Sequence, residues 1–153
     1  MRRKDKEIKD KKEIESIINI SDICRIALSE NNSPYIVPVC FGYKDNCLYI
    51  HSAADGKKID IIKKNKRVCF EFDTREGLIQ SENPCDWDIK YCSVIGSGKA
   101  FFIDDFEGKT KALNIIAEHY SIDVHEYQKD SVDNVTVIKI EIENLTGKKS
   151  GYL

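Results

Sequence analysis

Apolar and polar positions change period several times along the chain, and each change marks an element. From about Lys4 to Ile18 the spacing predicts a helix. Ile14, Ile17 and Ile18 share one face, Ile8 lies roughly two turns earlier, and lysines and acids cover the rest. Ser21 or Asp22 begins a new element. Ile23 to Leu28 is apolar apart from Arg25 and predicts a strand. Asn31, Asn32, Ser33 and Pro34 form a turn signal. Tyr35 to Tyr43 is almost wholly apolar but carries Pro38 in its middle. Proline cannot donate to a sheet ladder, so this strand is at an edge, bulged or interrupted, and neighbouring backbone groups are left free to meet a ligand. Lys44, Asp45 and Asn46 make a tight turn, and Cys47 to Ile50 return as the hairpin partner.

Helical spacing takes over at Lys57, with Ile59 and Ile62 three apart and Ile61 beside them, and Asn65 closes the segment. Arg67 to Asp73 alternates, with Val68, Phe70 and Phe72 on one face, and predicts a half-buried strand. Thr74 to Asp88 shows no period and holds Gly77, Pro84 and Trp87, which predicts a long loop of the kind that often carries function. Ile89 to Ile103 reads as a long strand in which Gly96 and Gly98 predict a bulge or a close approach. Asp104 or Asp105 caps a helix running to about Tyr120, with Leu113, Ile116, Ala117 and Tyr120 as its buried stripe. A final strand from Thr136 to Ile142 turns Ile138, Ile140 and Ile142 inward, and the closing residues from Gly147 are expected to be loosely ordered. About six strands and three helices with hairpin-length links predict a mainly β, α+β fold. An antiparallel sheet closes into a small barrel with helices packed outside, in a single domain. A doubly wound parallel sheet would need a regular strand–helix alternation, which is missing.

Composition narrows the function. A chain of 153 residues with 41% hydrophobic and 33% charged residues suits one soluble domain. The balance of 24 basic and 26 acidic residues gives a net charge of -2 and no pointer to nucleic acid. No apolar run approaches the roughly 20 residues of a membrane span. A charged start without a following apolar stretch places the protein in the cytoplasm as an expectation. The six cysteines, Cys24, Cys40, Cys47, Cys69, Cys85 and Cys92, are then expected to be reduced. Four of them fall inside apolar strand patterns, where cysteine acts as a small hydrophobe. No Cys-x-x-Cys pair exists, and His119 and His125 have no ligand-like neighbour, so no metal site is expected. No nucleophile elbow, phosphate loop of the Gly-x-x-x-x-Gly-Lys type, carboxylate cluster or thiol-protease signature is present.

One stretch carries chemistry of its own. Cys47 to Lys64 runs from a short strand through small polar residues to Gly56, Lys57, Lys58 and an amphipathic helix. Small residues let the backbone approach an anion, N–H groups of a starting helix point at it, and two lysines add charge. An ordinary strand-to-helix turn with two solvated lysines uses the same residues. Together with the proline-interrupted strand and the aromatic loop, the stretch suits a phosphorylated aromatic cofactor that brings its own chemistry.

Five segments in register resemble the nitroimidazole-resistance (Nim) family, within the wider pyridoxamine-phosphate-oxidase-like group. They are the charged start MRRKDKEI, PYIVPVCFGY from Pro34, LYIHSAADGKKIDIIKKN from Leu48, VCFEFD from Val68 and CDWDIKYCSVIGSGKAFFI from Cys85; the His119–Tyr120 pair belongs to the same pattern. The resemblance implies a split β-barrel that binds FMN, with FAD possible, in a homodimer with the flavin at the interface. It implies that the backbone of Val37, Pro38, Val39 and Cys40 runs along the flavin ring. His51, Ser52 and Ala53 would line the ribityl and phosphate side, and Lys57 and Lys58 would hold the phosphate. Trp87, Tyr91 and Ser93 would reach the pocket from the second subunit. His51 would also face a small substrate above the ring, or else be a strand-end histidine satisfied by backbone. Trp87 could equally plug a core. Reduced flavin would deliver electrons to a small-molecule acceptor such as a nitroimidazole, with no catalytic side chain required. The arginine-rich end of true pyridoxamine-phosphate oxidases is replaced by Lys148 to Leu153, which disfavours vitamin synthesis. A flavin-binding stress or redox sensor without turnover, and a haem-binding split barrel, remain as the alternatives.

Overall fold

Asp10 decides where the first helix begins. Its carboxylate accepts the Lys12 N–H at 3.0 Å, and α1 runs Lys11–Ile20. The helix predicted from Lys4 therefore starts later. Lys4–Lys6 form a single 3-10 turn, and Glu7–Ile8 form a short strand, β1. Ile8 is buried as expected, but it gets there by pairing with Gly147 at the far end of the chain. The computed structural model describes residues 3–123 and 126–152; His125 lies outside them.

The remaining elements are β2 (Cys24–Glu30), β3 (Ser33–Val39), β4 (Phe41–Lys44), β5 (Cys47–Ala53), α2 (Lys57–Lys64), β6 (Arg67–Ile79), β7 (Asp88–Ile103), α3 (Phe106–His119), α4 (Lys129–Asp133) and β8 (Val135–Ser150). All pairings are antiparallel, in the order β3-β2-β6-β7-β8-β5-β4, with β1 added to β8. The two ends of this path, β3 and β4, are consecutive in the chain and separated only by Cys40. No ladder joins them, so the barrel is split at Cys40 and bridged there by covalent backbone. The predicted single strand Tyr35–Tyr43 is thus two strands. Pro38 lies on the sheet edge, opposite Arg25, where its missing N–H costs nothing.

The predicted loop Thr74–Asp88 is strand over its first six residues and at Asp88. β6 continues to Ile79 past a bulge at Arg75/Gly77, and only the segment 80–87 is loop. The bulge and the exposed polar residues erase the alternation that would have shown the strand. Residues 147–152, expected to be loosely ordered, are likewise placed, and Leu153 lies outside the described residues. β8 bulges opposite Ser97/Gly98 and continues to Ser150, flanked by β7 and β1. Lys149 pairs with Glu13 at 3.0 Å, and the Tyr152 ring lies 4.4 Å below Lys90 Nζ. Among the described residues, eight strands and four α-helices therefore replace the expected six or so strands and three helices.

Phe41, Phe70 and Phe72 are fully buried at the centre, with Ile26, Leu48, Ile50, Ile138 and Ile140 around them. Each such side chain contributes about 1.5–3 kcal/mol. Of the cysteines only Cys24 is buried; Cys40, Cys69 and Cys85 are exposed, and Cys47 and Cys92 are partly so. The expectation of four core cysteines fails because alternate strand positions point outward. α3 is capped by Asp105, whose carboxylate accepts the Gly108 N–H at 2.7 Å, and it packs on β4. The approach is close: a Cβ on Gly42 would lie 2.6 Å from the Ile115 carbonyl oxygen. This contact lays α3 over the split. Among the described residues, no helix is long and apolar enough to cross a membrane.

Candidate functional site

The split exposes backbone that a continuous sheet would consume. Val37 is half-buried, Pro38 and Cys40 are exposed, and Val39 turns inward. Beyond the break, β5 carries His51, Ser52 and Ala53 along the β8 edge, opposite Val137, Thr136 and Val135. Cys40 and His51 line one wall of a groove of about 470 Å³. Leu113, Ile116, Ala117 and Tyr120 of α3 form the other wall, and Ile122 and Tyr127 close its end. The groove is apolar, with the Cys40 thiol, the His51 ring and the two tyrosines at its margins. The α3 stripe predicted as core is divided: Ile116 is buried, whereas Leu113, Ala117 and Tyr120 are only partly covered and face the groove.

At the end of β5 the chain passes Gly56 and enters α2. Gly56 has φ +136°, a conformation side chains resist, and nothing lies within 4 Å of where its Cβ would be. It provides no side-chain cap, so the first N–H groups of α2 are without the usual partner. Lys57 and Lys58 follow at once. Among the described residues neither has a carboxylate within salt-bridge distance. Lys57 Nζ sits 4.9 Å above the Tyr35 ring of β3. Lys58 is half-buried, and loss of water lowers its pKa below the ordinary lysine value. His51 is held below its ordinary pKa by burial first and by the Lys58 charge second, so its ring is neutral at pH 7. An open glycine, an uncapped helix start and two lysines without a carboxylate partner among the described residues lie together, the kind of donor set that suits an anion, near an apolar slot with an imidazole at its edge.

The other sequence-predicted residues lie elsewhere. Tyr91 and Ser93 sit on β7 twelve and ten residues before Ile103, which pairs with Val137 beside His51; that is roughly 30–40 Å along the strand. Tyr91 accepts a hydrogen bond from Lys148 at 2.5 Å. Trp87 is 49% exposed, and its indole N–H donates to the Ser81 carbonyl at 2.6 Å. It plugs no core. One chain therefore assembles Val37 to Cys40, His51 to Ala53, Lys57 and Lys58 into one region, and leaves Trp87, Tyr91 and Ser93 at the opposite end. Sequence reasoning missed the groove wall from α3 and the residues Ile122 and Tyr127. A helical stripe has the same period whether it meets a core or a groove, so no sequence signal separates the two.

Comparison with known proteins agrees with this geometry. The family model described as pyridoxamine 5'-phosphate oxidase matches residues 10–149. A crystal structure of a protein from Bacteroides thetaiotaomicron, provisionally named a 5-nitroimidazole antibiotic resistance protein, is 38% identical. It covers 93% of this chain and 85% of its own, with a TM-score of 0.82. The FAD and haem binding protein from Mycobacterium smegmatis shares the fold at 14% identity and a TM-score of 0.86, over 96% of this chain and 74% of its own. An uncharacterised curated protein of Rhizobium meliloti is 30% identical over 64 residues, so this chain matches only 42% of that relative's length. On these matches, together with the split barrel and its groove, the chain belongs to the pyridoxamine 5'-phosphate oxidase family, where it stands with the nitroimidazole-resistance proteins.

Proposed function

We propose that the protein is a homodimeric flavoprotein that holds FMN, or FAD by the same phosphate, and passes electrons to a small acceptor of the nitroimidazole kind. The observation that carries this reading is the turn at Gly56, Lys57 and Lys58, open to a phosphate, with Lys58 near enough to His51 of the groove for its charge to act on that ring. The names of the similar structures, one tied to nitroimidazole resistance and one to FAD and haem, support it. The donor set fits: α2 N–H groups and two lysines suit a phosphate, Ser52 and Ala53 suit a polyol, and the exposed backbone from Val37 to Cys40 suits a flat ring.

When bound, the flavin supplies the electron transfer. The chain supplies position and surroundings. Lys58 compensates the phosphate charge, which in turn relieves the lysine's own unpaired state. The apolar wall of Leu113, Ile116 and Ala117 excludes water from the acceptor. His51, neutral and at the margin, presents a ring nitrogen to the acceptor without adding charge. Trp87, Tyr91 and Ser93 serve the partner's site, since their own lies too far away. Purified protein loaded with FMN, reduced anaerobically by dithionite and mixed with a 5-nitroimidazole, should reoxidise as the nitro absorbance disappears. A reduced flavin that persists would leave a carrier without turnover.

A further inference from the structure

Tyr120 bridges the split. Its hydroxyl accepts the Phe41 N–H at 3.1 Å and donates to the Asp22 carbonyl at 2.8 Å. Phe41 is the first residue after the Cys40 break, and Asp22 lies just before β2. The bridge thus ties the two sides of the gap, using the N–H that the missing ladder leaves free. His119 adds a second tie. Its Nε2 lies 2.8 Å from the Ser21 carbonyl, which can only accept, so that nitrogen carries the proton; its ring packs on Phe41 with centroids 4.1 Å apart. Tyr120 also borders the groove beside the Cys40 thiol.

Resting on the flavin reading, we infer that Tyr120 is a positioning residue: its hydroxyl fixes the Cys40–Phe41 backbone, and with it the wall along which the flavin ring lies. A side chain that merely fills the barrel end needs its ring but not its hydroxyl. Tyr120→Phe separates the two. Tyr43→Phe is the comparison, because Tyr43 lies outside the groove lining and spends its hydroxyl on Glu15.

The test is made on the FMN-loaded protein. Tyr120→Phe should shift the visible absorbance and circular dichroism of the bound flavin and its midpoint potential. It should lower kcat for 5-nitroimidazole reduction by roughly 10- to 100-fold, the effect of an ångström-scale misplacement, with KM changed less. Tyr43→Phe should leave the spectrum and potential in place. Unchanged spectrum, potential and kcat in Tyr120→Phe, even at a lower melting temperature, would overturn the inference and leave Tyr120 a structural tie. If Tyr120→Phe does not fold, hydrogen exchange at the Phe41 amide of the unmodified protein is the readout. FMN should slow it at least severalfold, and equal rates with and without FMN would overturn the inference. A wild-type protein that takes up no flavin refutes the parent reading itself, and the inference with it.

Discussion

Replacing Lys58 by methionine should move the empty and the loaded protein in opposite directions. The substitution keeps most of the aliphatic stem and removes the charge. In the empty protein that charge is half-buried, with no carboxylate in salt-bridge distance among the described residues, and desolvation holds its pKa down. The sign follows from linkage. A lysine whose folded pKa lies below its ordinary 10.5 costs stability at neutral pH, and the cost fades as pH climbs through the folded pKa towards 10.5. Lys58→Met should therefore raise the melting temperature of the flavin-free protein at pH 7 and flatten its alkaline gain. With FMN the balance reverses, because a charge-assisted hydrogen bond to phosphate is worth about 1.5–3 kcal/mol. That corresponds to a roughly 10- to 150-fold weaker FMN affinity. Lys57→Met should cost less, since that side chain is exposed and its ammonium already lies over Tyr35. The assay is a fluorescence-quenching titration paired with thermal melts of the flavin-free variants. Wild-type FMN affinity in Lys58→Met, or a fall in flavin-free stability, would refute the reasoning.

Three further outcomes are expected. His51 titrates below its ordinary 6.5, so stability should be lost as pH falls from about 6.5 towards the folded pKa; His51→Gln should remove that part of the loss in melts between pH 7.5 and 5, and superimposable profiles would show that the histidine is fully hydrated. Gly42→Ala puts a Cβ 2.6 Å from the Ile115 carbonyl and should cost about 1–3 kcal/mol, seen as a melting point lowered by roughly 3–10 °C, whereas Gly77→Ala, with open space around it, should leave the melting point within about a degree. If Trp87 serves the partner's site, co-expressed Lys58→Met and Trp87→Ala chains should recover about one quarter of the wild-type flavin sites, because each mixed dimer keeps one intact site; recovery no better than either variant alone would place Trp87 outside the site.

The readable parts of the fold were those where one period holds without interruption. α2, the β4–β5 hairpin and α3 announce themselves because Ile59 and Ile62, Leu48 and Ile50, and Leu113 and Ile116 each repeat at the spacing of their element, although the α3 stripe is shared between core and groove. The unreadable parts sit beyond bulges. The bulges at Arg75/Gly77 and opposite Ser97/Gly98 shift the side-chain phase, so Thr74–Ile79 and Glu143–Ser150 no longer alternate cleanly although, apart from the bulged Glu76 and Glu143, they pair with β7. Gly96 and Gly98 did signal close approach: a Cβ on Gly96 would meet the Phe70 ring at 2.3 Å, and one on Gly98 the Glu141 carbonyl at 2.1 Å. Pro38 rightly marked an edge, yet nothing in its neighbourhood told that Cys40 would divide the strand. The hydroxyl that takes up the Phe41 N–H at that division belongs to Tyr120, eighty residues on from Cys40, and such a long-range partner leaves no local pattern. The proposed anion cradle could be read from the sequence because its glycine, helix start and lysines are contiguous. The groove was not, because α3 reaches it only through tertiary packing.

The most direct test of the central claim is to titrate the flavin-free protein with FMN and with riboflavin, which lacks only the phosphate. FMN should bind at least about tenfold more tightly, and the difference should vanish when Lys57 and Lys58 are both replaced by methionine. Equal affinity of the unmodified protein for the two, or binding of neither, would contradict an anion cradle at Gly56 and the flavin reading built on it.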